Sequence, residues 1–337
     1  MFKPFTTTGI GSLPHTDTDE ACDLVLQTFD IPFWPQLPNL RFCELMIPQF
    51  SEGIPFLMVD EKKEKIWIEK DEGNALTEFY EIYTDEFEFA ISEKYAAGLY
   101  SFIEKINNKY FHFLKGQITG PLTLTLGLKD SEGRLVYFDE ELREISLMAL
   151  KAKIRWQIRL LNKYADRVII FIDEPILSAL GTSGYIGVNT SEAERLLSEI
   201  SDAVKQADGI PGIHCCGKAD WPLVIKSGVK IISFDAYNYS ETISLYPTEF
   251  TDFLEDGGYL AWGIVPTTDS IKDENTDSIK KRFDEIGERL SNSISSELLK
   301  KQILLTPSCG TGSRSIEETA KIFHILVELK NLLKNVH

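Results

Sequence analysis

Five consecutive apolar residues, Val168-Ile169-Ile170-Phe171-Ile172, restrict the fold of this chain more than any other stretch. A β-branched run that is apolar at every position has both of its faces covered, as strands of a parallel sheet under helices do. Shorter apolar runs recur at residues 113–119, 210–216, 229–234, 259–265 and 302–306, separated by helix-length segments of mixed polarity. Among those segments, residues 17–29 have helical spacing behind Asp17 or Thr18 as cap, and residues 139–164 form a long helical pattern rich in Leu, Ile, Arg and Lys. Thr190 or Ser191 caps another helix running to about Ala207, with Glu194 completing a capping box three residues beyond Ser191.

Residues 6–10 and a second strand somewhere between Trp34 and Val59 bring the count to eight strands alternating with helices. That count predicts an α/β fold of the (β/α)8 TIM-barrel type, and 337 residues suit one such barrel with N-terminal insertions, residues 1–337 forming a single domain. The insertions are read as a small hairpin from residues 56–59 and 65–68, then a helical, acidic stretch from about Leu76 to Asn107. Pro32, Pro35 and Pro38 around Trp34 mark a stiff loop or short strand. A doubly wound open sheet is disfavoured, because it would be expected to carry a glycine-rich phosphate loop and neither common form occurs.

Charge excludes some partners. Acidic residues outnumber basic ones 52 to 35, for a formal net charge of −17, and the Lys and Arg residues are scattered rather than gathered in a stripe, so nucleic acid is not an expected partner. No apolar run approaches the 18 or more residues of a membrane span. The first residues lack a charged region followed by an apolar stretch, and a cytoplasmic location is expected. The five cysteines, an odd number, argue against a disulfide framework and for metal or thiol chemistry. Cys22 and Cys43 are read as small buried apolar residues.

In an α/β barrel, functional residues gather at the C-terminal ends of the strands. Gly11-Ser12, Gly120-Pro121, Asp173-Glu174, His214 to Cys216, Asp235 and Cys309 all fall there. Side chains alternate along a strand, so His214 and Cys216 point one way and Cys215 the other. Two thiolates and one imidazole suit Zn2+, whose catalytic sites hold three protein ligands and one exchangeable position. Asp235, ending the next strand, is a candidate for that position. A lone His-x-Cys is more often a buried His beside a buried Cys; the coincidence of three strand ends favours metal. Asp173-Glu174 is either a helix-capping Asp with a surface Glu or an anionic clamp for an ammonium group. The backbone N–H groups and hydroxyl of Gly11 and Ser12 could hold a carboxylate. His15, His112, His324 and His337 belong to no comparable cluster and are read as structural or solvent-facing.

These strand-end residues also carry a resemblance. Thr6-Thr7-Thr8-Gly9-Ile10-Gly11-Ser12-Leu13-Pro14-His15-Thr16 resembles the opening of the catalytic barrel of cobalamin-independent methionine synthase, and Gly116-Gln117-Ile118-Thr119-Gly120-Pro121 its Thr-Gly-Pro segment. Ile172-Asp173-Glu174-Pro175 matches its Ile-Asp-Glu-Pro motif, while His214-Cys215-Cys216 and Ser308-Cys309-Gly310 look like its two zinc-ligand segments. The broader superfamily includes uroporphyrinogen decarboxylases and corrinoid-dependent thiol methyltransferases. The resemblance implies zinc on His214, Cys216 and Cys309, with Asp235 where the family has glutamate. It also implies that Ile10, Gly11 and Ser12 hold the homocysteine carboxylate and Asp173 its amino group, Asp173 and Asp235 being the carboxylates of the reaction site.

Residues 262–267 contain no histidine where the long synthases carry the one thought to protonate the departing folate nitrogen. The implied activity is therefore zinc-dependent methylation of homocysteine to methionine. The donor is expected to be a methylcorrinoid on a separate carrier protein rather than methyltetrahydrofolate. Another thiol such as coenzyme M is an alternative acceptor, although it has no amino group for Asp173. A non-catalytic barrel that binds zinc or a corrinoid partner is the other class considered. Porphyrinogen decarboxylation is disfavoured, since it would want arginines at the strand ends and Arg41 is the only early candidate.

Overall fold

The apolar runs pair with one another over most of their length, the first of them only at Thr6–Thr7 of residues 6–10. The computed structural model describes residues 2–71, 73–84 and 86–335. Its strands are β1 (Thr6–Thr7), β2 (Leu57–Asp60), β3 (Lys65–Ile68), β4 (Phe111–Thr119), β5 (Ala165–Asp173), β6 (Ile210–Cys215), β7 (Ile231–Phe234), β8 (Tyr259–Val265) and β9 (Ile303–Pro307). Seven of them form a curled parallel sheet in the order β1-β9-β8-β7-β6-β5-β4, a TIM-barrel-like architecture in which β1 returns beside β9. The β-branched run predicted at residues 168–172 is the heart of β5, paired to β4 on one side and β6 on the other.

The expected eighth strand is absent from this sheet among the described residues. Leu57–Asp60 pairs antiparallel with Lys65–Ile68 as the predicted hairpin, separate from the main sheet. Between β1 and β4 lie residues 31–36, which make only isolated parallel bridges, Ser12 to Gln36 and Phe33 to Lys115. Ile31 N donates to Thr7 O (3.0 Å), Lys115 N to Pro32 O (2.9 Å) and Gln36 N to Gly11 O (3.0 Å). Pro32 and Pro35 have no N–H to donate, so a continuous ladder cannot form there. The eight-stranded count is corrected to seven strands plus this irregular connection.

Helices cover the outer face. Asp17 caps Thr18–Thr28 by accepting from Asp19 N and Glu20 N, and Asp139 caps the 22-residue helix Glu140–Leu161. The helix Thr190–Gln206 is capped by Asn189, whose side chain accepts from Ser191 N, and not by Thr190 or Ser191. A carboxamide one residue earlier already satisfies the orphan N–H that the capping box would have served. The acidic stretch divides into two helices, Ala75–Ile82 and Ala97–Ile106. In the irregular part between them, Phe89 N donates to Ala152 O of the long helix instead of to its own turn. No helix among the described residues is long and apolar enough to cross a membrane.

The inner face of the sheet sets the level of the chemistry. Phe2, Ile169, Phe171, Ile231, Tyr259, Ala261 and Leu304 pack into one buried cluster inside the curl. Burying a side chain such as Phe171, which is fully inaccessible, is worth about 1.5–3 kcal/mol. Two residues further along several strands the same face turns polar, with Asp173 after Phe171, Ser233 then Asp235 after Ile231, and Thr306 after Leu304, while on β8 Gly263 follows Ala261. The two-residue period therefore carries β5, β7 and β9 from an apolar plug to a polar rim.

Candidate metal centre

The rim is one row of residues in register. Thr119 of β4 pairs with Asp173 of β5, Asp173 with His214 of β6, and His214 with Ser233 of β7. His214 and Cys216 lie on the inner side, and Cys215 packs in the outer core, fully buried. Cys309 arrives on the loop after β9. That loop is pinned where Ser308 N donates to Val265 O (2.8 Å), Thr267 N to Ser308 Oγ (3.0 Å) and Thr311 N to Ser12 O (2.8 Å).

Together these constraints bring one ligand atom each from His214, Cys216 and Cys309 within 4.8 Å of one another. Among the described residues this is the one cluster of three or more His, Cys, Asp or Glu side chains with that geometry. His214 Nδ1 lies 3.0 Å from Ser233 Oγ, which fixes the ring, and its buried Nε2 has no hydrogen-bond partner. An orphaned imidazole nitrogen facing two sulfurs is what a soft divalent ion would satisfy, with Ser233 as the outer partner that orients a ligating histidine. The donor set fits zinc.

The thiols are not equivalent. The Cys309 thiol, and after it the His214 imidazole, hold Cys216 well below the ordinary thiol range, while the same contact and burial hold Cys309 up. Burial pushes Cys215 up to about 12, an inert thiol. Cys22 and Cys43 are fully buried in the outer core.

Asp235 does not join the cluster. It caps the short helix Ala236–Tyr239, Oδ1 accepting from Asn238 N (2.9 Å) and Oδ2 from Asn238 Nδ2 (2.7 Å). Burial raises its pKa, and Cys216 adds to the rise, so it sits in the electrostatic field of the cluster with both oxygens committed elsewhere.

The paired acids diverge. Asp173 faces the cluster, 3% exposed, with Oδ1 buried and unpartnered. Burial pushes it up to about 6 against the opposing pull of His214 and Lys115. Glu174 turns outward and anchors the helix that follows β4, Pro121–Gly127. It accepts from Leu122 N (2.9 Å), Thr123 N (2.8 Å) and Thr123 Oγ1 (2.6 Å), and a methyl group on Gly120 would overlap its carboxylate. Glu174→Ala strands two buried N–H groups and is expected to cost about 2–4 kcal/mol of stability, read as a lowered urea midpoint, with zinc content unchanged.

Ile10, Ser12, Glu44, Asp173, His214, Cys216 and Cys309 line a cavity of about 240 Å3, the size of a small amino acid rather than a drug-like ligand. Ser12 Oγ accepts from Gly312 N (3.3 Å), and the N–H groups of Gly11 and Ser12 meet no acceptor among the described residues. Sequence reasoning missed two residues here. Lys115 is fully buried beneath the cavity, its Nζ donating to Ile10 O (2.7 Å) and Gln117 Oε1 (3.2 Å) and lying 4.6 Å from the centre of the Phe171 ring. Burial lowers its pKa to about 7. Glu44, raised to about 7 by burial, accepts from Ala97 N (2.7 Å). A lysine within the strand run, in step with Gln117 and Thr119 on one face, was the available signal for the first. None marked the second. Arg41 is exposed and outside the cavity. His112 and His324 are exposed beside Asp166 and Glu328, His15 is buried away from the cluster, and His337 lies outside the described residues.

No family model matches the sequence, and no curated protein does. Among solved structures, a B12-independent methionine synthase from Shewanella sp. W3-18-1, in complex with selenomethionine, superposes with a TM-score of 0.61 at 14% identity over 98% of each chain. A catalytic module of the pneumococcal exo-β-D-N-acetylglucosaminidase gives 0.49 at 12% identity, covering 97% of this chain and 82% of that one. A glycoside hydrolase gives 0.42 at 11% identity, covering 70% and 82%. The first establishes a methionine synthase-like fold; the other two are too distant to add to it.

Proposed function

We propose that the chain is a zinc-dependent methyltransferase that places a methyl group on the thiol of homocysteine to give methionine, with a methylcorrinoid as donor. The observation that carries the reading is the meeting of His214, Cys216 and Cys309 beside the unpartnered Asp173 oxygen in an amino-acid-sized cavity. When bound, zinc supplies the Lewis acidity that keeps an alkyl thiol, ordinarily of pKa about 8.5, deprotonated at neutral pH.

The chain's own residues do the rest. Ser233 orients the His214 ring. Asp173 takes the substrate ammonium, and the free N–H groups of Gly11 and Ser12 take its carboxylate, which points the side-chain sulfur toward the cluster. Asp235 stays on Asn238, where its charge is felt at Cys216, and would leave the exchangeable position to the substrate thiol. The sulfur lone pair forms the new S–C bond as the Co–C bond breaks, and that bonding pair stays on cobalt. No acid is needed for the departing Co(I), in keeping with a β8 segment, residues 262–267, that carries none. Asp173 also argues for an acceptor with an amino group over one without.

The test supplies methylcobalamin and methyltetrahydrofolate separately to zinc-loaded protein with homocysteine. Methionine from methylcobalamin is the expected result. Methionine from folate alone overturns the donor, and methionine from neither overturns the activity.

A further inference from the structure

We infer that Lys115 is a positioning residue for the amino-acid substrate: its ammonium, held against the Ile10–Gly11 peptide, makes that peptide's N–H the carboxylate end of the site. This rests on the methyltransferase reading and adds what decides which way round the zwitterion lies. Lys115 is fully buried on the inner face of the sheet. Its Nζ donates to Ile10 O (2.7 Å) and Gln117 Oε1 (3.2 Å), and it stands 4.6 Å and 5.2 Å from the ring centres of Phe171 and Phe33. Gln117 spends its amide N–H on Trp34 O (3.0 Å), which turns its oxygen to the lysine. Two carbonyl oxygens and two ring faces serve an ammonium and offer nothing to the lone pair of a neutral amine. The Asp173 carboxylate also favours the charged form.

What Lys115 holds is one end of a donor. A trans peptide sets its C=O and N–H antiparallel in one plane, and no peptide of the described residues is cis. With the cation on Ile10 O, the Gly11 N–H points away from it, and the charge draws density through the shared amide, which strengthens that N–H as a donor. Gly11 N meets no acceptor among the described residues, and Ile10 and Ser12 on either side of it line the cavity. The peptide has little room to shift, since a methyl group on Gly11 would stand 2.8 Å from Gln36 Oε1 and 3.2 Å from Gln117 Cδ. From Nζ across the peptide to a carboxylate oxygen on Gly11 N is roughly 8 Å, where a buried charge pair is worth about tenfold or more in affinity at an effective dielectric constant of about 20. Asp173 supplies the opposite charge at the rim of the same inner face. The two buried charges give the cavity a polarity, and a zwitterionic α-amino acid thiol fits it one way round, carboxylate toward residues 10–12 and ammonium toward Asp173.

The experiment compares homocysteine with 3-aminopropanethiol, which is homocysteine without its carboxylate, by calorimetric titration of zinc-loaded wild type, Lys115→Met and Lys115→Gln. Both variants remove the charge, and the second leaves a neutral donor for Ile10 O. Homocysteine is expected to bind at least about tenfold more weakly to both, with zinc content unchanged. The amine without a carboxylate should bind as tightly as to wild type or more tightly, because a cation has been taken from beneath its ammonium. An equal loss for both ligands makes Lys115 mere structural support and overturns the assignment, as does wild-type homocysteine affinity in either variant. A second readout uses wild type alone. Labelling with carbonyl-13C isoleucine and 15N glycine separates the Gly11 amide from all glycines but Gly187 and Gly287. Its proton should move downfield with homocysteine and stay in place with 3-aminopropanethiol; a proton that ignores homocysteine overturns the assignment even where a variant does not fold. Wild type that holds zinc and binds neither thiol overturns the methyltransferase reading, and the assignment with it.

Discussion

Protein carrying Cys309→Ser is expected to lose zinc by more than about 100-fold in affinity, and with it all methyl transfer, while remaining folded. The magnitude follows from the donor count. Removing a mere outer-shell partner of a metal ligand typically costs about 10–100-fold, and here one of only three clustered donors is lost. Folding should survive, because Cys309 sits on a loop whose backbone is pinned independently by Ser308, Thr267 and Thr311. The control is Cys215→Ala, one residue from Cys216 and buried in the outer core, which should keep full zinc stoichiometry at a modest cost in stability. Metal content measured by mass spectrometry decides the matter. If Cys309→Ser retains zinc and Cys215→Ala does not, the cluster has been misassigned.

The second large effect is on substrate. Asp173→Asn keeps the shape of the side chain and removes the negative charge, and a hydrogen bond to a charged group is worth about 1.5–3 kcal/mol. Homocysteine affinity should therefore fall roughly 10–100-fold with zinc unchanged. Acid should imitate the substitution. Burial raises the pKa of Asp173 to about 6, so the carboxylate that would grip an ammonium is present above that pH and lost as pH falls through it. Calorimetric titration of homocysteine between pH 5 and 8 should show weakening on the acid side for wild type and a flatter profile for Asp173→Asn. A zinc-dependent weakening of equal size in both proteins would remove Asp173 from the ammonium site.

What could be read from the sequence and what could not separate along a physical line. The run at residues 168–172 was legible because burial on both faces leaves none of its five positions polar, and its five companions because apolar residues still dominate around buried polar ones such as Lys115 and Ser233. The nomination of Cys216 over Cys215 followed from the two-residue period and agrees with where each side chain lies. Features that depend on a partner far away in sequence were not legible. Pro32 and Pro35 break a strand only because residues 31–36 run between two others; Asp235 is held by Asn238 rather than by the cluster; and Glu174 spends its charge on a helix fifty residues upstream. Local spacing cannot reveal which neighbour satisfies a buried acid. The same limit hid Lys115, whose role depends on Ile10 reaching it across the sheet.

The seam between β1 and β9 carries a consequence for how the chain matures. Thr6 and Thr7 align with Leu304 and Leu305, and the Ser12 loop is tied to Thr311 and Gly312. The two-residue strand β1 thus meets β9 only after residues 304–305 exist, and residue 309 follows them on the adjoining loop, so the third donor of the cluster reaches His214 late. A polypeptide cut before residue 309 would lack one of the three clustered donors, so a tight hold on the ion would report that this junction has closed.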